Sequence, residues 1–149
     1  MKNGLGKSDQ WAEAVSSKAN IKINDMKFQD LIAYEKVFQL SVKIFHLSKS
    51  FPNEEKYSLT DQIRKSSRSV FANLAEAYRK RNYHKSYTYK LTDCDAENSE
   101  TQVWLEFTFK CEYIDKTTFD EFTSESEEVG KLLNFMNLNP AKFGVKLEN

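Results

Sequence analysis

The residues of this chain best suited to chemistry are cations and tyrosines. Arg64, Lys65, Arg68, Arg79, Lys80, Arg81 and Lys85 fall within one stretch, with Tyr78, Tyr83, Tyr87 and Tyr89 in or beside it. Cations neutralise phosphates and aromatic rings stack on bases, so such a stretch can hold nucleic acid. Residues 62–90 carry eight cations and one acid, a net of +7, whereas residues 91–128 carry twelve acids and two lysines, a net of −10. The whole chain is neutral, so no overall field draws in a polyanion or an anionic membrane. Three readings of this internal polarity stay open. The 79–85 end binds phosphate, or the basic second helix pairs with an acidic third or fourth helix of a neighbouring copy. In the third reading, the cations complement a helix dipole on an ordinary salt-laced surface.

A second pattern is polar and small. Gln62, Ser66, Ser69, Asn73, Glu76 and Lys80 recur at intervals of three and four, a continuous stripe on one side of a helix. Small serines allow close approach of another helix, and buried amides need partners, so Gln62, Ser66, Ser69, Asn73 and Glu76 form a candidate packing or oligomer seam. The alternative is a solvated face that lacks Lys and Glu.

Catalytic constellations are missing. His46 and His84 are the only histidines, and neither stands three residues after a Glu, so the Glu-x-x-His pairs of di-iron bundles are absent. Gly4, Gly6, Gly130 and Gly144 cannot build a P-loop or a dinucleotide fingerprint. Ser66 to Ser69 have no base beside them in sequence, and His46 reads as a partly buried helix residue. Cys94 falls on an apolar line and reads as core. The expectation is a protein that is not an enzyme, with no catalytic residue, metal or cofactor.

These residues must be positioned by helices. Pro occurs only at 52 and 140, and one glycine lies between them, which suits long helices joined by short polar turns. The first periodic segment spans about 30–50, with Leu31, Tyr34, Phe38 and Phe45 on one line and Val37, Leu40, Ile44 and Leu47 beside it. Pro52 stops it. The second spans about 54–81, with Leu59, Ile63, Val70, Leu74 and Ala77 inward. The third, about 84–113, carries Tyr87, Leu91, Cys94, Asn98, Thr101, Leu105 and Thr108 at heptad-like spacing. The fourth opens at Thr118, in a capping box with Glu121, and carries Phe119, Phe122, Val129, Leu133 and Met136. The run "VWLEFTFKCEY" also alternates as a strand would, but no second run of equal strength exists to pair with it. Its surplus of aromatics is read as a helix buried on more than one side.

At 149 residues, with 40% apolar and 30% charged side chains, one domain with a real core is expected. Two cysteines seventeen apart do not make a disulfide framework, and no run approaches a membrane span. The first residues lack the apolar centre of a secretory signal. A cytoplasmic protein with reduced thiols is the expectation. Residues 1–25 read as a flexible N-terminal arm, 26–138 as a four-helix bundle and 139–149 as a loosely held C-terminal tail, with Met26 a candidate start of the folded part.

The stretch from Met26 to Arg81 resembles a family of small bacterial four-helix bundles first noted as reading frames within intervening sequences of 23S ribosomal RNA genes. Phe28, Asp30 and Leu31 match its opening F-x-D-L. Phe51, Pro52, Glu55, Tyr57, Leu59, Gln62, Ile63, Arg64 and Lys65 match its middle pattern, and Ser69, Val70, Asn73, Leu74, Ala75 and Glu76 the next. Ala77 stands where the family has glycine, and only Leu91 and Glu100 line up in the third helix. The resemblance implies an all-α, antiparallel up-down four-helix bundle that assembles into a homo-oligomeric ring, a pentamer. It implies no enzymatic activity. The accessory proteins of diversity-generating retroelements look like distant relatives that associate with nucleic acid and a reverse transcriptase. Expected partners are thus further copies of the chain, and RNA or a nucleic-acid enzyme. The alternative is a purely protein-binding or structural oligomer whose charge asymmetry serves assembly.

Overall fold

The computed structural model describes Val15, Ser16, Lys18 and residues 21–147. Within them the chain forms four α-helices: α1 Ile32–Ser48, α2 Leu59–Arg79, α3 His84–Lys110 and α4 Lys116–Leu138. Short 3-10 turns at Ile23–Asp25, Phe28–Asp30, Asn53–Glu55 and Pro140–Phe143 punctuate the rest. The alternating 103–113 run is helical through Lys110, and the described residues contain no strand beyond an isolated bridge between Ser16 and Leu31. Each helix packs on its sequence neighbour, α2 and α3 most extensively, and α1 meets α4, consistent with a bundle.

The third helix shows why heptad spacing is informative. Its buried residues are Tyr87, Leu91, Cys94, Asn98, Thr101, Leu105 and Thr108, the same seven that the spacing singles out. Leu59, Ile63, Val70, Leu74 and Ala77 are likewise buried on α2. The first helix differs. Its buried set is Ala33, Val37, Leu40, Ser41, Ile44 and Ser48, while Phe38 stays 45% exposed beside the half-buried Tyr34 and Phe45. The aromatic line therefore sits over the α1–α2 groove. Near its end α3 is covered only in part beyond its inward line: Trp104 and Phe109 are half-buried, the latter stacked on Phe119, while Val103 is 56% and Phe107 45% exposed.

Helix ends correct the sequence reading. The fourth helix is capped by Asp115, whose Oδ1 accepts the Thr118 N–H at 2.8 Å, and Glu121 instead pairs with Lys43. A carboxylate at this position satisfies an orphan donor and faces the positive end of the helix dipole. The second helix starts at Leu59, because Glu55 Oε2 accepts both the Leu59 N–H (3.1 Å) and the Ser58 hydroxyl (2.9 Å). Beyond α3, Glu112 takes a left-handed φ of 62° while the Tyr113 N–H reaches back to the Thr108 carbonyl at 3.1 Å, a helix stop usually built on glycine.

Polar side chains join the helices at mid-height. Asn98 donates to the Ser126 carbonyl and accepts from the Ser126 hydroxyl, both at 2.9 Å, and Thr101 donates to Ser66 Oγ at 2.9 Å. The tail is packed, against the expectation of a loose segment: Phe143 and Val145 are buried, and the Lys146 N–H donates to the Arg81 carbonyl at 2.8 Å. Most of the 1–25 arm lies outside the described residues. Of its described part, Lys18 pairs with buried Asp30.

Candidate nucleic-acid interface

The seven candidate cations do not form one cluster. Arg64 and Arg79 are fifteen positions apart on the same helix, about 22 Å at the α-helical rise. At the first position, Arg64 Nε donates to Ser48 Oγ at 2.7 Å and its guanidinium lies 4.9 Å from the Phe45 ring centre. Arg68 covers the same ring at 5.8 Å, and Lys65 pairs with Asp61 at 2.8 Å. These three dress the α1–α2 groove and the surface of α2.

At the other end, α2 stops at Arg79 and a short turn leads into α3, with the Tyr83 N–H donating to the Lys80 carbonyl at 2.9 Å. Here the consecutive cations diverge, Arg79 ending the helix, Lys80 capping it and Arg81 standing in the turn. Lys80 and Lys85 join Ser86, Tyr89 and Lys90 around an open cleft of about 370 Å³ at the α2–α3 corner. Arg79 and Arg81 line a separate cleft of about 520 Å³ against residues 24–29. Arg81 is held in place there: its guanidinium stacks 3.7 Å from the Tyr78 ring centre, Nε donates to the Tyr78 carbonyl at 2.8 Å, and Nη1 to the Phe143 carbonyl at 3.4 Å.

The α2–α3 corner is electropositive for more than one reason. The first turn of α3 contains no acid, and its N-cap Tyr83 supplies no side-chain cap, so unpaired backbone N–H groups add to the lysine charge. Tyr89 is 71% exposed on the wall of the cleft, and Tyr83 is exposed nearby. Tyr78 and Tyr87 are not stacking surfaces, which corrects the sequence reading. Both are buried, donating to the Met26 carbonyl at 2.9 Å and the Met136 carbonyl at 3.0 Å, and burial pushes both phenols up.

The polar stripe divides between core and surface. Ser66 is buried against Thr101, and Ser69 is half-buried. Asn73 Oδ1 accepts from Lys90 Nζ at 3.3 Å, and Glu76 pairs with the same nitrogen at 2.9 Å. That hydrogen bond to Lys90 holds the Glu76 carboxyl below its ordinary value, and the same contact raises Lys90. These residues join α2 to α3 within one chain, while Gln62, expected in the seam, is exposed. Lys90, absent from the sequence-based candidates, is thus the residue that links the stripe to the cleft. Its position beside Asn73 and Glu76 depends on the α2–α3 pairing, which no local pattern displays.

The nucleophile candidates have structural roles. Ser66 donates to the Ile63 carbonyl and Ser67 to the Arg64 carbonyl. Cys94 is in the core, and burial pushes its thiol up to about 12. His46, expected to be partly buried, is exposed and meets Phe45 edge-on. Among the described residues no group of three or more His, Cys, Asp or Glu is placed to hold a metal ion, and no helix is long and apolar enough to cross a membrane.

Comparison with known proteins identifies the lineage. The family model of the 23S rRNA-intervening sequence protein matches residues 29–135. The chain belongs to that family. A crystal structure of a protein of unknown function from the S23 ribosomal protein family of Bacteroides thetaiotaomicron is similar at 30% identity and a TM-score of 0.67, covering 76% of this chain and 99% of that one. No curated protein matches. Seen on the fold, most of the 23S rRNA-intervening sequence pattern is structural. Phe51, Leu59, Ile63 and Leu74 are core, Glu55 caps α2, and Asp30 accepts from the Lys27 N–H at 3.0 Å. Tyr57 and Gln62 match the pattern yet are exposed.

Proposed function

We propose that this member of the 23S rRNA-intervening sequence protein family is a non-catalytic, self-associating scaffold that contacts RNA through the α2–α3 corner. The observation that carries this reading is the cleft itself: Lys80, Lys85 and exposed Tyr89 around an uncapped helix N-terminus. Lysines neutralise backbone phosphates without reading sequence, and an exposed tyrosine takes a stacked base. The expected bundle is antiparallel and up-down. Contacts of Ser48 with Arg64 and of Tyr34 with Phe71 support that order, as do those of Lys36 with Glu128 and of Lys43 with Glu121. Self-association into a ring, five copies by family resemblance, is supported by the exposed apolar residues Phe38 and Val42 on α1 and Val103 and Phe107 on α3. Exposed apolar stripes of this kind mark contact surfaces. Arg64 and Arg68 lie over Phe45, three positions from Val42 on α1, and Glu100 and Glu106 each stand three positions from Val103 on α3. The setting we infer is cytoplasmic, where both thiols stay reduced.

The exposed stripes also favour the second reading, an oligomer that binds only protein. Native mass spectrometry with a structured RNA across a salt series separates the two. RNA uptake that weakens log-linearly with salt and is lost in Lys80→Ala/Lys85→Ala/Tyr89→Ala supports the first. An oligomer that ignores RNA at low salt leaves the second.

A further inference from the structure

The second cleft at the α2 end shares no residue with the first and has its own chemistry. It lies between residues 24–29 and α2, encloses about 520 Å³, and is lined by Lys27, Arg79 and Arg81 against a single acid, Asp25. That volume is in the range of small-ligand sites. Arg81 is half-buried and is immobilised by its stack on Tyr78 and its bonds to two carbonyls. A guanidinium has five N–H donors, and these two bonds use Nε and one donor of Nη1. Among the described ion pairs none involves Arg81, Arg79 or Lys27, so none of the three cations is in direct contact with a carboxylate of the described chain. A planar fork already held in place loses little further freedom on meeting a phosphate, which is why such an arginine binds more tightly than a free one. Asn24 and Gln29 add amides on the same wall, able to donate to and accept from a sugar or base.

We propose that this cleft binds the phosphate monoester of a nucleotide, with Arg81 as the fixed fork, Arg79 and Lys27 as the flanking cations, and Asn24 and Gln29 meeting the nucleoside. A monoester carries nearly two charges at neutral pH, as a phosphoryl group does, against one for a backbone diester, and three cations to one acid favour the more highly charged group. The ligand is either a free nucleotide or the 5′-phosphorylated end of an RNA strand. The inference does not depend on the Lys80–Lys85 cleft.

The test is fluorescence anisotropy of one short 3′-labelled oligoribonucleotide, made with a 5′-phosphate or a 5′-hydroxyl, with adenosine 5′-monophosphate as competitor. The 5′-phosphate should tighten binding by about tenfold, as a charge-assisted, bidentate contact does. Lys27→Glu/Arg79→Glu, both at exposed positions, should erase that difference, and Arg81→Lys, which keeps the charge but not the fork, should reduce it. Thermal melts confirm that each variant is folded. Lys80→Ala/Lys85→Ala should weaken both oligomers alike and keep their ratio. If the nucleotide alone binds, with the same sensitivity to Lys27→Glu/Arg79→Glu, the source is free nucleotide, and the site stands even if the RNA reading fails. Equal affinity for the two ends, together with nucleotide binding that is absent or indifferent to Lys27→Glu/Arg79→Glu, overturns the proposal.

Discussion

Asn98 and Ser126 are joined twice across the α3–α4 interface, the amide donating to the Ser126 carbonyl and its oxygen accepting from the Ser126 hydroxyl, each at 2.9 Å. Both residues are buried, and Gln102 adds a third bond to Ser126 Oγ at 3.0 Å. Such a pair selects one register of the two helices, because sliding either strands an amide in the core. Ser126→Ala removes the hydroxyl and leaves Asn98 Oδ1 without that donor, so it should lower unfolding free energy by about 1–3 kcal/mol. Urea denaturation checks this. An unchanged midpoint would show that the pair does not hold the register.

Glycine and its absence are both improvable here. Gly130 lies inside α4 with an ordinary φ, and a Cβ there would meet Asn98 Nδ2 at 3.5 Å, a normal contact. Gly130→Ala should therefore stabilise the fold by about 0.5–1 kcal/mol through lower backbone entropy. At Glu112 the sign is reversed: its φ of 62° is left-handed, and Glu112→Gly should gain about 1 kcal/mol by relieving Cβ strain. Thermal melts of the two single variants and the double should show gains that add, since the sites are on different segments.

Thiol chemistry should report the core directly. The Cys94 thiol is buried and pushed up to about 12, while Cys111 is half-buried at the α3 cap. Since the thiolate is the reactive form, Cys111 should be modified by a disulfide reagent at pH 8 in the native protein and Cys94 only with unfolding. Comparable rates at both would contradict the packing around Tyr87 and Leu91.

Acid should weaken the fold in a defined direction. Asp30 is held below its ordinary 3.8 by the Lys18 hydrogen bond and then the Lys27 N–H, Asp115 by the Thr118 N–H, and Glu76 below 4.5 by Lys90. A carboxyl whose folded pKa is depressed adds stability that is fully present above its unfolded pKa and is lost as pH falls through the folded one. The contribution of these three carboxyls should thus be flat above roughly pH 5 and fall below about pH 4. Asp30→Asn and Asp115→Asn should each flatten that fall, as read from denaturation midpoints against pH.

Much of the fold is legible in the sequence because burial in a helix obeys a fixed period. The seven inward residues of α3 from Tyr87 to Thr108, and the five of α2 from Leu59 to Ala77, follow from spacing alone. The motif residues Phe51, Pro52 and Glu55 likewise place a turn before α2, since proline and a capping carboxylate act locally. What spacing does not contain is rotation of one helix against another. Tyr34, Phe38 and Phe45 form as regular a line as Val37, Leu40 and Ile44, and only packing against α2 selects the second for the core. The same holds for the cations. Arg79, Lys80 and Arg81 are consecutive in sequence, so they read as one patch. Arg81 lies past the end of α2, in the turn before α3, so the chain reversal and not the helical period sets its direction: Lys80 lines the cleft at the α2–α3 corner, and Arg79 and Arg81 line the one against residues 24–29. Sequence determined the helices and their charge. Tertiary structure alone decided that the charge makes two clefts, because Tyr78 and Phe143, sixty-five positions apart, meet at Arg81.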